Sequence, residues 1–265
     1  MAFALTCLQR ISIRHKKAGL TEPSGLALAT DGGGLWAVSD DTAHIFRIGF
    51  DGKLDKDRSF DVPDIELEGI TAHPGGRYLY AVREDTNEVI KLDTAKRKVA
   101  ARRRLADMAG YDTVSAFFAG DAANDGLEGI TWNPATRSLV CLKEGNPGLL
   151  IEVASNLKEI RGHTVLGAHN GFTAPGLDPG RMDFSDIAAD ATRAAFWIVS
   201  DLARRLYLYA PGEDRVLHSA PLTHLRKGTV REVEKPEGVD IDPAAGRLYV
   251  ASDSEARLYV FDVRA

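Results

Sequence analysis

Five stretches of this chain follow one pattern, and they constrain the fold more than anything else in it. They are Glu22-Pro23-Ser24-Gly25-Leu26, Glu66-Leu67-Glu68-Gly69-Ile70, Gly126-Leu127-Glu128-Gly129-Ile130, Asp183-Phe184-Ser185-Asp186-Ile187 and Lys235-Pro236-Glu237-Gly238-Val239. With the origin at Gly25, Gly69, Gly129, Asp186 and Gly238, the fifteenth residue onward is acidic in every copy: Asp40, Glu84, Glu144, Asp201 and Asp253. Acids make up 38 of 265 residues. Five of five at one chosen column therefore has a chance of roughly 6 in 100,000, before allowing for the choice of column. Eleven residues on, the column is large (Trp36, Tyr80, Val140, Trp197, Tyr249), and twenty on it is aliphatic (Ile45, Val89, Leu149, Leu206, Leu258). No gap is needed within a copy, and self-similarity of this kind means a repeat architecture.

Each copy reads as three short strands. The first follows the origin, and a turn such as His73-Pro74-Gly75-Gly76 or Asn133-Pro134-Ala135-Thr136 comes next. The second strand is β-branched and aromatic: Leu35 to Val38, Tyr78 to Val82, Ser138 to Leu142, Phe196 to Val199 and Leu248 to Ala251. The third covers His44 to Ile48, Glu88 to Leu92, Leu149 to Val153, Leu206 to Tyr209 and Leu258 to Asp262. A variable outer strand is expected at Ser59 to Val62, Lys98 to Leu105, Glu159 to Val165 and Val216 to Ala220. The fifth copy has no outer strand, while Thr6 to Arg14 is a spare strand with no repeat of its own. Ring closure solves both problems, and no long helix is found. The expected fold is all-β: one domain over 1–265, a five-bladed β-propeller closed by its N-terminal strand, with repeat cores near 22–62, 66–105, 126–165, 183–220 and 235–263 plus 6–14.

The origins lie 44 (69 minus 25), 60 (129 minus 69), 57 (186 minus 129) and 52 (238 minus 186) residues apart. The surplus falls in the loops Ala106 to Asp125, Leu166 to Met182 and Leu222 to Lys235, which a propeller places on the face where the fifteenth-column acids open. The column just before the origin holds Ser24, Glu68, Glu128, Ser185 and Glu237, at the mouth where five inner strands converge. If each hairpin pairs offsets summing to fourteen, Glu68 faces Glu84, Glu128 faces Glu144 and Glu237 faces Asp253. Carboxylates so close need protons, bases or a cation. A hard ion such as calcium takes six to eight oxygens, which these six acids, with serines and carbonyls, can supply. Arg83 and Lys143 are the bases expected to pair with Glu68 and Glu128, which leaves Glu237 and Asp253 as the sharpest case for an ion. Asp40 and Asp201 read as turn caps, and together with Arg83 and Lys143 they are the residues expected to meet a ligand.

Other chemistry has little support. There is no Cys/His cluster of zinc spacing, no Gly-x-Ser-x-Gly elbow and no Gly-rich phosphate loop. His73, His163, His169, His218 and His224 fall in turns or outer strands, so a histidine over the axis is not expected to act as a base. The net charge of -5 argues against nucleic acid, and the run Lys96-Arg97-Lys98 with Arg102-Arg103-Arg104 reads as a charged outer edge that blocks strand pairing. Cys7 and Cys141 are too few for a disulfide scaffold, and Cys141 occupies a column otherwise held by small hydrophobes. No stretch is long enough to span a membrane, and Met1 to Leu8 lacks the basic leader of a signal peptide, so a soluble protein is expected, with an envelope location open if a leader was removed.

The Glu-x-Glu-Gly-Ile-Thr core at Glu66 to Thr71, its spacing to Val82-Arg83-Glu84 and the count of five resemble the SdiA-regulated (YjiK-like) proteins, distant relatives of NHL-repeat propellers. The resemblance runs from about Glu22 to Asp262 and implies a five-bladed propeller with bound calcium and no established activity. The functional expectation is a propeller that binds an unidentified small molecule or protein at its channel mouth beside a calcium ion. The rivals are a calcium-dependent lactonase or esterase and a metal-free interaction scaffold. Binding is favoured over hydrolysis because the axial columns hold acids and serines but no obvious base.

Overall fold

The computed structural model describes residues 5–62, 66–120 and 125–263. The expected apolar start at Met1 to Ala4, residues 63–65, residues 121–124 of the first long loop and the last two residues lie outside the described residues. Strand β1 (Thr6–Ser12) precedes the first blade, formed by β2 (Pro23–Leu28), β3 (Leu35–Ser39), β4 (His44–Ile48) and β5 (Phe60–Asp61). The second blade is β6 (Ile70–Ala72), β7 (Tyr78–Arg83), β8 (Glu88–Asp93) and β9 (Lys98–Arg104). The third is β10 (Leu127–Asn133), β11 (Ser138–Lys143), β12 (Gly148–Ala154) and β13 (Ile160–Leu166), and the fourth is β14 (Asp186–Asp190), β15 (Ala195–Ser200), β16 (Arg205–Ala210) and β17 (Arg215–Pro221). An extra hairpin, β18 (Thr223–Arg226) and β19 (Thr229–Glu232), sits before the fifth blade. That blade has β20 (Pro236–Asp242), β21 (Arg247–Ser252) and β22 (Arg257–Asp262), and β1 pairs with β22 as its outer strand. The five-bladed ring closes as the repeats require. No helix of the described residues is long and apolar enough to cross a membrane.

Strand period explains the core. Side chains alternate between the two faces of each blade, so each blade contributes to two apolar layers. Trp36 and Val38 pack with Leu79 and Ala81 of the second blade, while Leu35 and Ala37 pack with Tyr249 and Ala251 of the fifth. Tyr80 and Val82 likewise meet Leu139 and Cys141, and burial raises the Cys141 thiol's pKa, as suits a small core hydrophobe. Two of the long loops are tied down by buried apolar side chains. Val114 and Met108 are buried in a run of 3-10 turns against the third blade, and Phe172 is buried against Phe184, Tyr207 and Tyr209. The third loop is not a simple connection: it contains the β18–β19 hairpin.

The inner strands meet at the axis, and there the origin column is glycine because nothing larger fits. A methyl group on Gly25 would come within 2.5 Å of the Glu68 carbonyl oxygen, and one on Gly69 within 2.5 Å of the Glu128 carbonyl oxygen. One polar side chain latches each junction. Ser24 Oγ donates to the Leu67 and Glu68 carbonyls across the first junction (3.1 and 2.9 Å). Thr71 Oγ1 accepts from Trp132 N–H (3.2 Å) and Thr131 Oγ1 from Ala189 N–H (2.9 Å) across the next two. Asp186 Oδ2 accepts from Val239 N–H (2.8 Å) across the fourth, and Asp240 Oδ2 from Leu28 N–H (2.5 Å) closes the ring.

Asp186 is the exception in the glycine column. Its side chain is fully buried and also accepts from Ile187 N–H (2.8 Å) and from Leu26 of the first blade, so one carboxyl joins three blades. Burial raises its pKa well above the ordinary value, partly opposed by those amides.

Two outcomes follow from ring closure and latching. Deleting residues 1–14 exposes the β22 edge; the truncated protein should lose its cooperative urea transition or several kcal/mol of stability, on the order of ~3 kcal/mol or more. Asp186→Ala strands amides of three blades and should cost about 2–4 kcal/mol in the same assay, and an unchanged midpoint would contradict the latch.

Candidate axial cation site

Above the glycine ring the inner strands bulge. Glu68 N–H donates to the Val82 carbonyl (3.1 Å) while Val82 N–H donates to the Gly69 carbonyl (3.0 Å), so residues 68 and 69 both oppose Val82. Ser185 and Asp186 both oppose Val199 in the same way, and register shifts fall at the equivalent place in β2, β10 and β20. This corrects the expected register. Offsets sum to thirteen in the strands (Gly129↔Leu142) and to twelve beyond the bulge (Leu127↔Lys143), not to fourteen. The residue before the origin is therefore the bulged one, not the cross-strand partner of its repeat's acid, and a bulge re-aims its side chain. Beyond the bulge, the fifteenth-column acid pairs through its backbone with the residue three before the origin: Glu144 N–H donates to Gly126 O (3.1 Å) and Asp253 N–H to Lys235 O (3.0 Å).

Glu68, Glu128 and Glu237 line a cavity of about 260 Å³ at the axis together with Asp40, Glu84, Glu144, Asp201 and Asp253. Ser24, Ser185, Asp183 and Lys235 complete the wall. Nine carboxyl groups thus share the cavity with one ammonium. Carboxylate oxygens of Glu84, Glu128 and Glu144 lie within 4.8 Å of one another. Asp183, which sequence reasoning passed over, accepts from Ser200 Oγ (2.5 Å) and Leu202 N–H (3.0 Å) and so caps the turn after β15. Its signal was the column three before the origin, which is acidic in three copies (Glu22, Glu66 and Asp183) and holds Gly126 and Lys235 in the other two. Asp40 and Asp201 were expected to cap such turns, yet neither makes a capping bond among the described residues, and Asp40 Oδ1 is buried without a partner.

The expected bases are elsewhere. Arg83 pairs with Asp85 (Nε–Oδ1 2.6 Å), and Lys143, fully buried, donates to the Gly145 carbonyl and lies over the Phe118 ring at 5.6 Å. Neither lines the cavity. The cation in the cavity is Lys235, which bonds Asp253 and stands 3.9 Å from Glu237. The two acids expected to lack a base are the ones that have it. This reverses the sequence argument: the glutamates of the cavity without a base are Glu68, Glu84, Glu128 and Glu144, on the side of the second and third blades.

Protonation follows from that division. Burial, then the charges of Asp40 and Glu84, push Glu68 up to about 8. Burial, then Glu68 and Glu84, raise Glu128 well above the carboxyl range. Burial, then Asp125 and Glu84, take Glu144 to about 7, and burial, then Asp201, takes Glu237 to about 8 against the pull of Lys235. For Lys235 burial works against charge, but its bond to Asp253 and the charges around it outweigh that and raise its pKa. The histidines stay outside: His73 meets the Trp132 ring edge-on (4.7 Å), His224 lies tilted against Tyr259 (5.2 Å), and none lines the cavity.

Comparison with known proteins agrees with the architecture. The chain is similar to the crystal structure of Myxococcus xanthus glutaminyl cyclase, with a TM-score of 0.66, 13% identity, and coverage of 98% of this chain and 97% of that one. It is also similar to the β-propeller domain of Myceliophteria thermophila Cps50 (Swd1), with a TM-score of 0.51, 13% identity and coverage of 91% and 84%. A chain of the nidogen/laminin complex gives a TM-score of 0.52 at 14% identity, covering 88% of this chain and 73% of that one. At such identities the likeness is one of fold. No curated protein matches the chain. The model of the SdiA-regulated family matches residues 8–262, and this chain is a member of that family.

Proposed function

We propose that the axial cavity binds a divalent cation, calcium by the chemistry of its donors, and that a ligand or partner is recognised at the mouth above it. The observation that carries this reading is the group Glu84, Glu128 and Glu144. Two oxygens on one ion can be no farther apart than twice the metal–oxygen distance, about 4.6–5.2 Å for calcium, and these three carboxyls meet that limit at 4.8 Å. The donors fit a hard ion: the cavity offers carboxyl and hydroxyl oxygens and neither imidazole nor thiolate. Asp40 Oδ1, buried and unpartnered, is a further group in search of a positive charge. Glu84, Glu128 and Glu144 would hold the ion, with Glu68 beside them. Glu237 and Asp253 already face Lys235 and are left out of the set.

One observation favours a second, catalytic reading. Without metal, burial and the neighbouring acids push Glu68 up to about 8; an ion beside it would draw that value down towards neutrality, where a carboxyl can give and take protons. That is the kind of group the hydrolase reading lacked. Calcium-dependent turnover of lactone, ester or phosphoester substrates that is lost in Glu68→Gln would support it.

Melting temperature and calorimetry test the ion. Calcium at a hundredfold excess over its dissociation constant should add about 2.7 kcal/mol, a rise of about 5 °C for a domain of this size, reversed by a chelator. Glu128→Gln should abolish the rise and Glu237→Gln should keep most of it. No bound calcium by elemental analysis, with equal melting in calcium and chelator, would refute the assignment.

The sign of the pH dependence follows from the raised carboxyls. Folding takes up protons wherever the folded pKa exceeds the unfolded one, so without metal the contribution of these acids to stability is fully present below about pH 4.5 and is lost as pH rises to about 8, through the values of Glu144, Glu68 and Glu237. Calcium displaces those protons, so its stabilising effect should grow across the same window. Melting curves at pH 5, 6.5 and 8, with and without calcium, read both trends.

A further inference from the structure

We infer that a basic pocket between the turn at residues 14–18 and the loop at residues 54–56 is a binding site for an anion with two neighbouring phosphoryl groups. The pocket encloses about 410 Å³, within the roughly 300–1,000 Å³ of small-molecule sites. Four cationic side chains line it, Arg14, Lys16, Lys17 and Lys56, and no carboxyl does. This is the reverse of the axial cavity, on a chain whose net charge is -5.

The two walls are fixed to each other by their backbones. His15 N–H donates to the Leu20 carbonyl (2.8 Å) and Ala18 N–H to the His15 carbonyl (2.8 Å), which closes the turn that carries Arg14, Lys16 and Lys17. In the facing loop, Gly49 N–H donates to the Lys53 carbonyl (2.8 Å) and Asp55 N–H to the Arg47 carbonyl (2.7 Å), so Lys56 stands just past a continuation of the β4 ladder. A carbonyl only accepts, so His15 Nε2 donates to the Gly52 carbonyl (2.8 Å) and ties turn to loop. Gly52 has a φ of +80°, and a methyl group there would overlap the Ser12 carbonyl oxygen, so glycine alone permits this approach. Beneath the pocket, Leu54 and Ala18 pack on the fully buried Ile13 and Leu20. The four charged heads are exposed, but the backbones that bear them are held together.

Charge selects the occupant. Arg14 donates to the Ser254 carbonyl (3.1 Å), and none of the four cations forms an ion pair among the described residues. The acids nearest in sequence are committed elsewhere. Asp51 pairs with Lys53 (2.7 Å), and Asp55 accepts from the Asp57 and Arg58 amides (3.1 Å each) with Arg58 Nε at 3.5 Å. Asp57 is exposed and lies outside the pocket wall. A concave wall of one sign draws in counter-ions. A phosphoryl group carries about -1.5 to -2 at neutral pH, so two of them match four cations. A free diphosphate and the headgroup of a bisphosphorylated lipid both supply such a pair. The pocket shares no residue with the axial cavity, so this inference does not rest on the calcium reading.

Isothermal titration calorimetry with inorganic pyrophosphate, in metal-free buffer at about 0.15 M ionic strength, tests the site. Wild-type protein should bind pyrophosphate at least about tenfold more tightly than sulfate, and Lys16→Gln/Lys17→Gln and Lys56→Gln, altered only at exposed positions, should each lose about tenfold. Both variants should melt like wild type and keep their response to calcium, and Glu128→Gln should bind pyrophosphate like wild type, so this result and the calcium result fail separately. Vesicles carrying phosphatidylinositol bisphosphate separate the sources. Pelleting with them, and not with phosphatidylserine vesicles of equal charge, makes the ligand a headgroup, whereas pyrophosphate binding without pelleting makes it a free anion. Pyrophosphate bound no more tightly than sulfate, or equally by the lysine variants, would overturn the proposal. So would equal pelleting with both kinds of vesicle, or binding of duplex DNA that the lysine variants abolish, since a charged surface or a nucleic acid would then be the occupant.

Discussion

Everything at the candidate site depends on the crowding of five inner strands around one axis. The strands approach so closely at Gly25, Gly69 and Gly129 that a single methyl group would overlap a neighbouring backbone. At that level there is no room for side chains, so the polar groups that hold the ring are small or fully engaged: Ser24, two threonines and two aspartates. The backbone relieves the crowding immediately above, by a bulge in every inner strand. The residue in that bulge is serine or glutamate, and its side chain opens on the mouth. A packed ring with an acidic bowl over it is one structural decision seen at two heights.

The bowl carries its charge unevenly. Lys235 neutralises the wall made by the fifth blade, and Asp183 is spent on capping a turn. What remains without a base is the wall of the second and third blades, where burial and mutual repulsion raise the pKa values of Glu68, Glu128 and Glu144. A group of acids kept neutral by proximity gains most from a cation, since the ion turns the repulsion into coordination.

The architecture was legible because repetition is independent of detail: the columns of Trp36, Tyr80, Val140, Trp197 and Tyr249 locate five second strands, and the unpaired Thr6 to Arg14 locates the closure. The acids at the mouth were legible for the same reason. Their pairing was not. Register changes by one residue at a bulge, and a bulge leaves no mark in a single repeat; only the bond pattern around Val82 and Val199 reveals it. Arg83 and Lys143 follow the right columns but their long side chains reach Asp85 and the Gly145 carbonyl. Lys235 was overlooked because its column holds Glu22, Glu66, Gly126 and Asp183 in the other copies. Asp186 stands in the origin column with four glycines, and its role as a three-blade acceptor depends on contacts 50 residues or more away, such as Val239, 53 positions on.

The central claim is that the cation sits against the second and third blades, opposite Lys235. A crystal grown with calcium and measured for anomalous scattering tests it most directly. The account predicts one peak within about 2.3–2.6 Å of carboxylate oxygens from Glu84, Glu128 and Glu144. An empty axial cavity, or a peak bound by Glu237 and Asp253 with Lys235 displaced, would contradict it.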